Sequence, residues 1–552
     1  MNEVLLKKIR DLPMVVSLTD TSGNRTGAWS LQKPDFSTKY PPCAEGCPAH
    51  VPVREILAEV LNQEFGSAAE LLVEANPFPS ITGRVCHHPC QQRCLRGDFD
   101  DSLEIRAIER FLADFINMSF RIPELISSEQ KRIAVVGSGP SGLACAYFLR
   151  LKGYDITVFE SRSHIGGMLY AGIPPYRLPE DVLNKEIERL KNLGIKFKTN
   201  VKVTKKYILD ELKDFDAVFL GIGAHKSMGL DLTVKKNELV LSGLDFLSGY
   251  ESYKRKFNNK MVAVIGGGNT AMDAARTALR FGADVKVIYR RTRDEMPAIP
   301  EEVEGALEEG CDLKFLTAPV RSEYNKGLID LYCVKMELGE PDESGRRRPV
   351  PKTGSEFKLF FDYVITAIGE IPDSEHFEGI VALNKSDISI NRSGQTSEPY
   401  IFAGGDAAGF ERTVIDAIES GKNAAKSMIS YFKGKKLPEP KVKNSAIEFE
   451  DINTNYFDQK DAVSIGSIPP AERKTGFGEI IEGLNESDVI CEAERCFSCG
   501  VCTYCDNCII FCPDYAVVPA ENEYLIKDEY CKGCGICIEE CPRNVLFWRQ
   551  KA

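Results

Sequence analysis

Residues 131–160 read KRIAVVGSGPSGLACAYFLRLKGYDITVFE. An apolar run, a glycine-rich turn, a helix-forming stretch and a second apolar run follow one another, the order of a strand–turn–helix–strand unit. In the turn, Gly137, Gly139 and Gly142 keep the G-x-G-x-x-G spacing, with Pro140 and Ser141 before the third glycine. The first glycine makes the tight turn, the second lets backbone approach a pyrophosphate, and the third lets helix pack on strand. The helix N-terminus then offers its unpaired N–H groups and partial positive charge to the phosphates. Glu160 closes the second apolar run, where a carboxylate can accept hydrogen bonds from a ribose. A bound dinucleotide is the expectation.

The same grammar returns at 260–292, KMVAVIGGGNTAMDAARTALRFGADVKVIYRRT. Gly266, Gly268, Asn269 and Thr270 begin a G-x-G-x-x-A turn, but the second strand ends in Tyr289, Arg290 and Arg291 instead of an acid. An arginine pair there can clamp a 2′-phosphate with charge-assisted bonds, which favours NADPH over NADH. Two such units predict an α/β chain with two Rossmann-like dinucleotide-binding domains.

The surrounding composition narrows the class. At 552 residues the chain should hold several domains, and 43% hydrophobic residues suit a globular protein. Its formal net charge of −12 argues against a nucleic-acid partner, which needs a basic footprint. No apolar run approaches the roughly 20 residues of a membrane span. The start, MNEVLLKKIRDLPMVVSLTD, lacks the apolar core and cleavage site of a secretion signal, so a cytoplasmic protein is expected.

Nineteen cysteines are unevenly placed: five between 43 and 94, eleven between 491 and 541, and Cys145, Cys311 and Cys333 between these groups. In a large chain without a secretion signal, metal or iron–sulfur ligation fits better than disulfides. Cys502-x2-Cys505-x2-Cys508-x3-Cys512-Pro513 and Cys531-x2-Cys534-x2-Cys537-x3-Cys541-Pro542 are two bacterial ferredoxin runs. The fourth cysteine of each run ligates the other cluster, so one [4Fe-4S] cluster takes Cys502, Cys505, Cys508 and Cys541, and the other takes Cys531, Cys534, Cys537 and Cys512. Zinc would favour two CxxC pairs in a knuckle over two such repeats. Cys491, Cys496 and Cys499 are left over. The crowded Cys496-x2-Cys499-x2-Cys502 leaves open a shifted frame, or a structural or redox role for the extra thiols.

Near the N-terminus, Cys43-x3-Cys47-Pro48 and Cys86-x3-Cys90-x3-Cys94 lie among amphipathic stretches such as VPVREILAEVLNQE and AIERFLADFINM. Five thiolates cannot fill the eight positions of two cubanes, so one cluster is expected here, about twelve iron atoms in all.

Residues about 131–430 resemble the glutamate synthase small subunit family of flavoproteins, whose fold is like that of the two-domain disulfide reductases. The motifs are the turn at 137–142, HIGGML at 164–169, YAGIPPYRLP at 170–179, GGGNTAMDAART with YRRTRDEMPA, ITAIGEIPD, and IFAGGDAAGFERTVIDAIESGKNAA. The resemblance implies FAD on the first domain, with Gly167, Met168, Leu169 and Arg177 near it. It also implies that Gly405 and Asp406 return to the ribityl-pyrophosphate, and that Thr413 and Val414 begin a helix pointing at the flavin. The N-terminal cysteines resemble the helical iron–sulfur domain of the same family and of dihydropyrimidine dehydrogenase. By that likeness the ligands would be Cys47, Cys86, Cys90 and Glu109, with Cys43 and Cys94 spare; four of the five cysteines without the carboxylate is the rival set. The ferredoxin:NADP transhydrogenase large subunit is similar too.

These readings divide the chain into a helical Fe-S domain (1–125), an FAD domain (126–250 and 396–435), an NAD(P)H domain (251–395), a linker (436–485) with Pro-rich turns, and a ferredoxin-like α+β domain (486–552). No redox-active CxxC follows the first unit, so electrons must leave the flavin by another route, and the cysteine groups supply one. No side chain is assigned an acid–base or nucleophilic role. The function expected is that of an NAD(P)H:acceptor oxidoreductase subunit passing electrons between NADPH, FAD and [4Fe-4S] clusters, to or from ferredoxin or a larger catalytic subunit in a hetero-oligomer. A glutamate synthase small-subunit role with a large partner, and a non-catalytic electron-transfer scaffold, are the alternatives.

Overall fold

The computed structural model describes residues 23, 25–119, 131–230, 232, 234, 238–342, 345–438, 446–521 and 523–551. Parts of the expected domains, at 1–22, 24 and 120–130, and of the linker, at 439–445, lie outside the described residues.

Strand β1 (Gln32–Phe36) is followed by helices α1 (Val53–Leu61), α2 (Phe65–Ala75), α3 (Pro79–Val85) and α4 (Ile105–Ser119). Helix α1 buries Val53, Ile56, Leu57 and Val60, a single stripe at helical spacing, and the other three helices meet it in one apolar core. The chain continues through β2 (Arg132–Val136), α5 (Pro140–Leu151), β3 (Asp155–Phe159), β4 (Lys196–Lys198) and β5 (Ala217–Leu220). Then come β6 (Val240–Ser242), β7 (Met261–Ile265), α6 (Asn269–Arg280), β8 (Asp284–Ile288), α7 (Pro300–Glu308) and β9 (Asp312–Lys314). An insertion of β10 (Thr317–Asn325), β11 (Leu328–Pro341), β12 (Arg347–Pro351) and β13 (Phe357–Phe361) precedes β14 (Tyr363–Thr366), β15 (Ile401–Ala403) and α8 (Val414–Phe432). The C-terminal part holds α9 (Glu486–Glu494) and strands β16 (Val517–Pro519), β17 (Tyr524–Ile526) and β18 (Leu546–Gln550).

Two parallel five-stranded sheets result, in the orders β15-β5-β2-β3-β4 and β9-β8-β7-β14-β6. Their central strands, such as RIAVV and MVAVI, are apolar on both faces because both faces are covered: in MVAVI, Val262 and Val264 pack with α6, and Ala263 and Ile265 with Ile329, Leu331 and Phe361 of the inserted strands. The late strand β15 pairs with β5, which returns the chain to the first domain and lets α8 pack along α5. Gly421 makes that approach: a Cβ there would lie 2.1 Å from the Ser141 carbonyl oxygen. Strands β10–β13 form an antiparallel sheet on the second domain.

Two expectations change. Residues 32–36 do not belong to the helical domain alone, because β1 pairs antiparallel with β18, Gln32 opposite Gln550 and Phe36 opposite Leu546. Residues 446–485, in the described part of the expected linker, are anchored along the surface. Ile447, Ile452, Ile480 and Leu484 are buried, Phe477 packs on Tyr250 (5.0 Å between ring centroids), and Glu479 pairs with Arg84 at 2.8 Å. Irregular backbone concealed these contacts, which are made one side chain at a time.

Candidate functional site

A cleft of about 1300 Å³ runs between the two parallel-sheet domains. Both glycine turns line it, with Met168, Arg290, Asp406, Thr413 and Val414. In the first turn, Gly137 has φ +100°, and a Cβ would strike the Gly221 carbonyl oxygen at 2.3 Å. A Cβ on Gly142 would meet the Gly137 carbonyl oxygen at 2.1 Å, whereas one on Gly139 would meet nothing within 4 Å among the described residues. The outer glycines are therefore closed by packing and the middle one faces the cleft, the cradle a pyrophosphate requires. Gly167 seats the HIGGM turn on it, its own Cβ position lying 2.7 Å from the Gly139 Cα; Leu169 is buried behind.

Glu160 is buried at the end of β3. Its carboxylate accepts from the Ser138 amide (3.0 Å) and hydroxyl (2.6 Å), and from the Arg162 amide (2.8 Å). It locks the turn from beneath as well as lining the cleft. Asp406 follows Gly405, whose amide donates to Ser420 Oγ at 2.8 Å. Burial pushes the Asp406 carboxyl up, and Arg412 nearby pulls it down. Thr413 caps α8, its hydroxyl accepting from the Asp416 amide at 3.1 Å, and directs the helix N-terminus at the cleft.

Arg177 lines the same cleft but is committed elsewhere. Its Nη1 donates to both Asp273 oxygens (2.8 and 3.0 Å) and its Nε lies 2.8 Å from Glu302. Asp273 and Glu302 belong to α6 and α7, so Arg177 ties the FAD segment to the second domain. Beside it Tyr176 is buried under the Arg280 guanidinium, 3.8 Å from its ring centroid. Glu309 holds Arg276 at 2.6 Å and Arg280 at 2.7 Å. Sequence reading missed this ionic seam; Asp273, the one acid inside NTAMDAART, was its signal. His225, half-buried and cleft-lining, was missed as well.

In the second turn a Cβ on Gly266 would lie 2.0 Å from the Ala367 carbonyl oxygen, while the Gly268 position is open to 4.0 Å. Asn269 Oδ1 accepts from the Ile299 amide at 2.9 Å, and the Thr270 side chain lies beside Gly243. The expected arginine clamp is present on one side only. Arg290 is exposed and makes no ion pair or hydrogen bond with the described residues. Arg291 is buried, donating to the Arg347 carbonyl oxygen at 2.8 Å and to Asp342 at 2.5 Å. The inserted sheet supplies both acceptors, which the spacing of the turn could not reveal. Arg346 from the same insertion also reaches the cleft lining.

The thiols gather in groups. Cys47, Cys86 and Cys90 face Glu109, which lies within the N-terminal core and is pushed up to about 7 by burial. Burial and that carboxylate push the Cys47 thiol up to about 12. Cys502, Cys505, Cys508 and Cys541 surround one small cavity, and Cys512, Cys531, Cys534 and Cys537 surround another. Among the described residues no three Cys, His, Asp or Glu side chains converge tightly enough for a single metal ion. Thiols held apart around a space in this way form a donor set that suits a cationic cluster. Val85 and His87, on either side of Cys86, line the nucleotide cleft, so the N-terminal thiols adjoin it.

Two dinucleotide folds sharing a cleft, joined to cysteine groups of cluster type, define an NAD(P)H-dependent iron–sulfur flavoprotein. The chain belongs to the pyridine nucleotide-disulphide oxidoreductase family, which matches residues 131–427. Residues 36–119 match dihydropyrimidine dehydrogenase domain II with its 4Fe-4S cluster, and 524–547 match a 4Fe-4S binding domain. It is 36% identical to the NADP(+)-dependent formate dehydrogenase subunit beta of Moorella thermoacetica, over 83% of this chain and 70% of the relative. It is 35% identical to the NADPH-Fe(3+) oxidoreductase subunit beta of Geobacter sulfurreducens (84% and 76%) and 35% identical to the glutamate synthase [NADPH] small chain of Escherichia coli (72% and 89%). FAD, NAD(P)H and [4Fe-4S] clusters are thus its cofactors, and electron transfer between them its chemistry. Among the described residues no helix is long and apolar enough to cross a membrane.

Proposed function

We propose that this chain is the NADPH-handling subunit of a hetero-oligomeric oxidoreductase whose other subunit, or a docked ferredoxin, exchanges electrons with the ferredoxin-like end. The observation that carries the reading is the single cleft, which both glycine turns and the residues flanking Cys86 line together. When bound, the cofactors supply hydride transfer at the flavin and one-electron exchange at the clusters. The chain's part is positional. Gly139 and Gly268 admit the two pyrophosphates, the N-termini of α5, α6 and α8 face the phosphates and the isoalloxazine, and Arg290 stands free to take a 2′-phosphate. The Arg177–Asp273–Glu302 seam fixes the two domains against each other, so the distance between nicotinamide and flavin is set by buried ion pairs.

The relatives named as beta or small subunits support a multi-subunit assembly. So do the exposed Tyr504, Phe511, Tyr515, Leu525 and Trp548, apolar side chains concentrated on the ferredoxin-like end. A glutamate synthase small-chain role has the flavoprotein part in its favour, but the ferredoxin-like body points to another acceptor. A scaffold without nicotinamide chemistry is disfavoured by an open second turn. Anaerobic titration of the purified protein is the test: NADPH is expected to bleach the flavin absorbance at stoichiometric addition, with NADH much less effective. Absence of bleaching by either nucleotide would overturn the reading.

A further inference from the structure

The four half-buried thiols unclaimed by the sites above, Cys43, Cys94, Cys496 and Cys499, come together at one place. Cys43 lies within electrostatic reach of the other three, Cys496 of Cys94, and Cys499 of both Cys496 and Cys94. Two come from the N-terminal helical domain and two from the segment after α9, more than four hundred positions away.

Packing clamps the two pairs on both sides. Ahead of Cys43, the Lys39 amide donates to the Gly500 carbonyl oxygen at 2.9 Å, and Arg54 Nη1 bridges the carbonyl oxygens of Lys39 (3.1 Å) and Cys499 (2.8 Å). Beyond Cys94, Phe99 packs on Phe497 with ring centroids 5.7 Å apart, and Asp100 pairs with Arg495 at 3.2 Å. The backbone at Cys496 also has a form the ligand cysteines use. Ser498 sits in the left-handed region (φ +51°) and its amide donates to Cys496 Sγ at 3.3 Å. His88 does the same for Cys86 (φ +45°, 3.4 Å), while Tyr504 (φ +57°) and Gly533 (φ +71°) turn likewise and hydrogen-bond to Cys502 and Cys531. A non-glycine residue adopts that conformation only at a steric cost. Its recurrence at the second position after a cysteine marks a ligand turn.

We infer that Cys43, Cys94, Cys496 and Cys499 hold a fourth [4Fe-4S] cluster, its ligands shared between the two ends of the chain. Such a cluster would cross-link the helical domain to the C-terminal segment. It would stand between the Cys47–Cys86–Cys90–Glu109 group beside the cleft and the Cys502 group, from which Cys499 is separated by Gly500 and Val501 alone. That intermediate position rests on the NADPH-dependent reading above; the ligand assignment does not.

Anaerobically prepared full-length protein should contain about sixteen iron atoms per flavin, and the Cys496→Ser/Cys499→Ser double variant about twelve. The Cys491→Ser variant, altered at an exposed thiol outside the group, should keep the parent value. Mössbauer spectra should assign all sixteen irons to [4Fe-4S] clusters. A parent count near twelve, stoichiometric zinc in place of four irons, or an unchanged count in the double variant would each overturn the assignment. The parent count decides the matter even if the double variant is insoluble. If NADPH fails to bleach the flavin while the count is sixteen, the functional reading falls and the site stands.

Discussion

Arg290 lines the cleft with no ion pair or hydrogen bond among the described residues, whereas the adjacent Arg291, which lines the same cleft, is spent on Asp342 and the Arg347 carbonyl oxygen. Replacing each with glutamine should therefore have unlike effects. R290Q loses one charge-assisted contact to a 2′-phosphate, about 1.5–3 kcal/mol, so KM for NADPH should rise roughly ten- to a hundredfold with NADH unaffected. R291Q leaves the half-buried Asp342 carboxylate without its guanidinium partner and should cost about 1 kcal/mol of stability, read as a lower Tm, with the NADPH to NADH preference little changed. Equal nucleotide effects in the two variants would show that both arginines touch the ligand. The glycines of the first turn separate in the same manner. G142A drives a methyl group into the Gly137 carbonyl and should unfold the turn, whereas G139A, at φ −70° with open space before it, should fold normally and lose flavin affinity. Flavin content beside Tm distinguishes them.

Helix α8 reaches α5 so closely because Gly421 has no side chain, and Ser420 hydrogen-bonds both Ser141 Oγ (3.0 Å) and the Gly405 amide (2.8 Å). Substituting Gly421 with alanine should push the helices apart, costing about 1–3 kcal/mol as overpacking does, and displace the Asp406 turn, so that flavin is released at lower temperature than in the parent. A flavin-release temperature equal to the parent's would mean that α8 does not position that turn. At this scale the sequence was most informative where the signal is local. Both strand–turn–helix units, the ferredoxin runs and the return of β15 are carried by contiguous motifs with fixed spacing. What it concealed were pairings between distant segments: KPDF in β1 contains a proline and is too short to announce a strand, and its partner β18 lies some five hundred residues later. Arg177 read as a cofactor contact because it sits in a cofactor motif, yet its fate depends on acids from α6 and α7. Cys43 and Cys94 looked superfluous for the same reason, their neighbours being Cys496 and Cys499.

Strand β1 and helix α9 tie the ferredoxin-like body to the helical domain, so where that body is cut away decides what is learned about electron exit. A cut after Asn485 removes α9, whose Val489 and Ala493 are buried in the N-terminal core and whose Glu492 accepts from the Glu104 amide at 2.9 Å. Uncovering the partners of Val489 alone forfeits about 1.5–3 kcal/mol, so that truncation should lower the Tm of the helical domain and confuse loss of a cluster with loss of structure. Ending the chain at Gly500 keeps α9, the Arg54 and Lys39 clamps and Cys496–Cys499, while removing all eight thiols of the two ferredoxin runs. The shorter protein should retain about eight iron atoms, and β1, deprived of β18, should exchange its amides rapidly. Stopped-flow bleaching of the flavin by NADPH should be nearly unaltered, because the cut keeps both glycine turns and every residue that lines the cleft, Val85, His87 and Gln92 included. Small dyes that reach the flavin should still be reduced, whereas turnover with ferredoxin should fall by about tenfold or more. Were ferredoxin turnover to survive in this folded, eight-iron protein, electrons would be leaving beside Cys86 or Cys43 instead, and the ferredoxin-like body would have to serve some other partner.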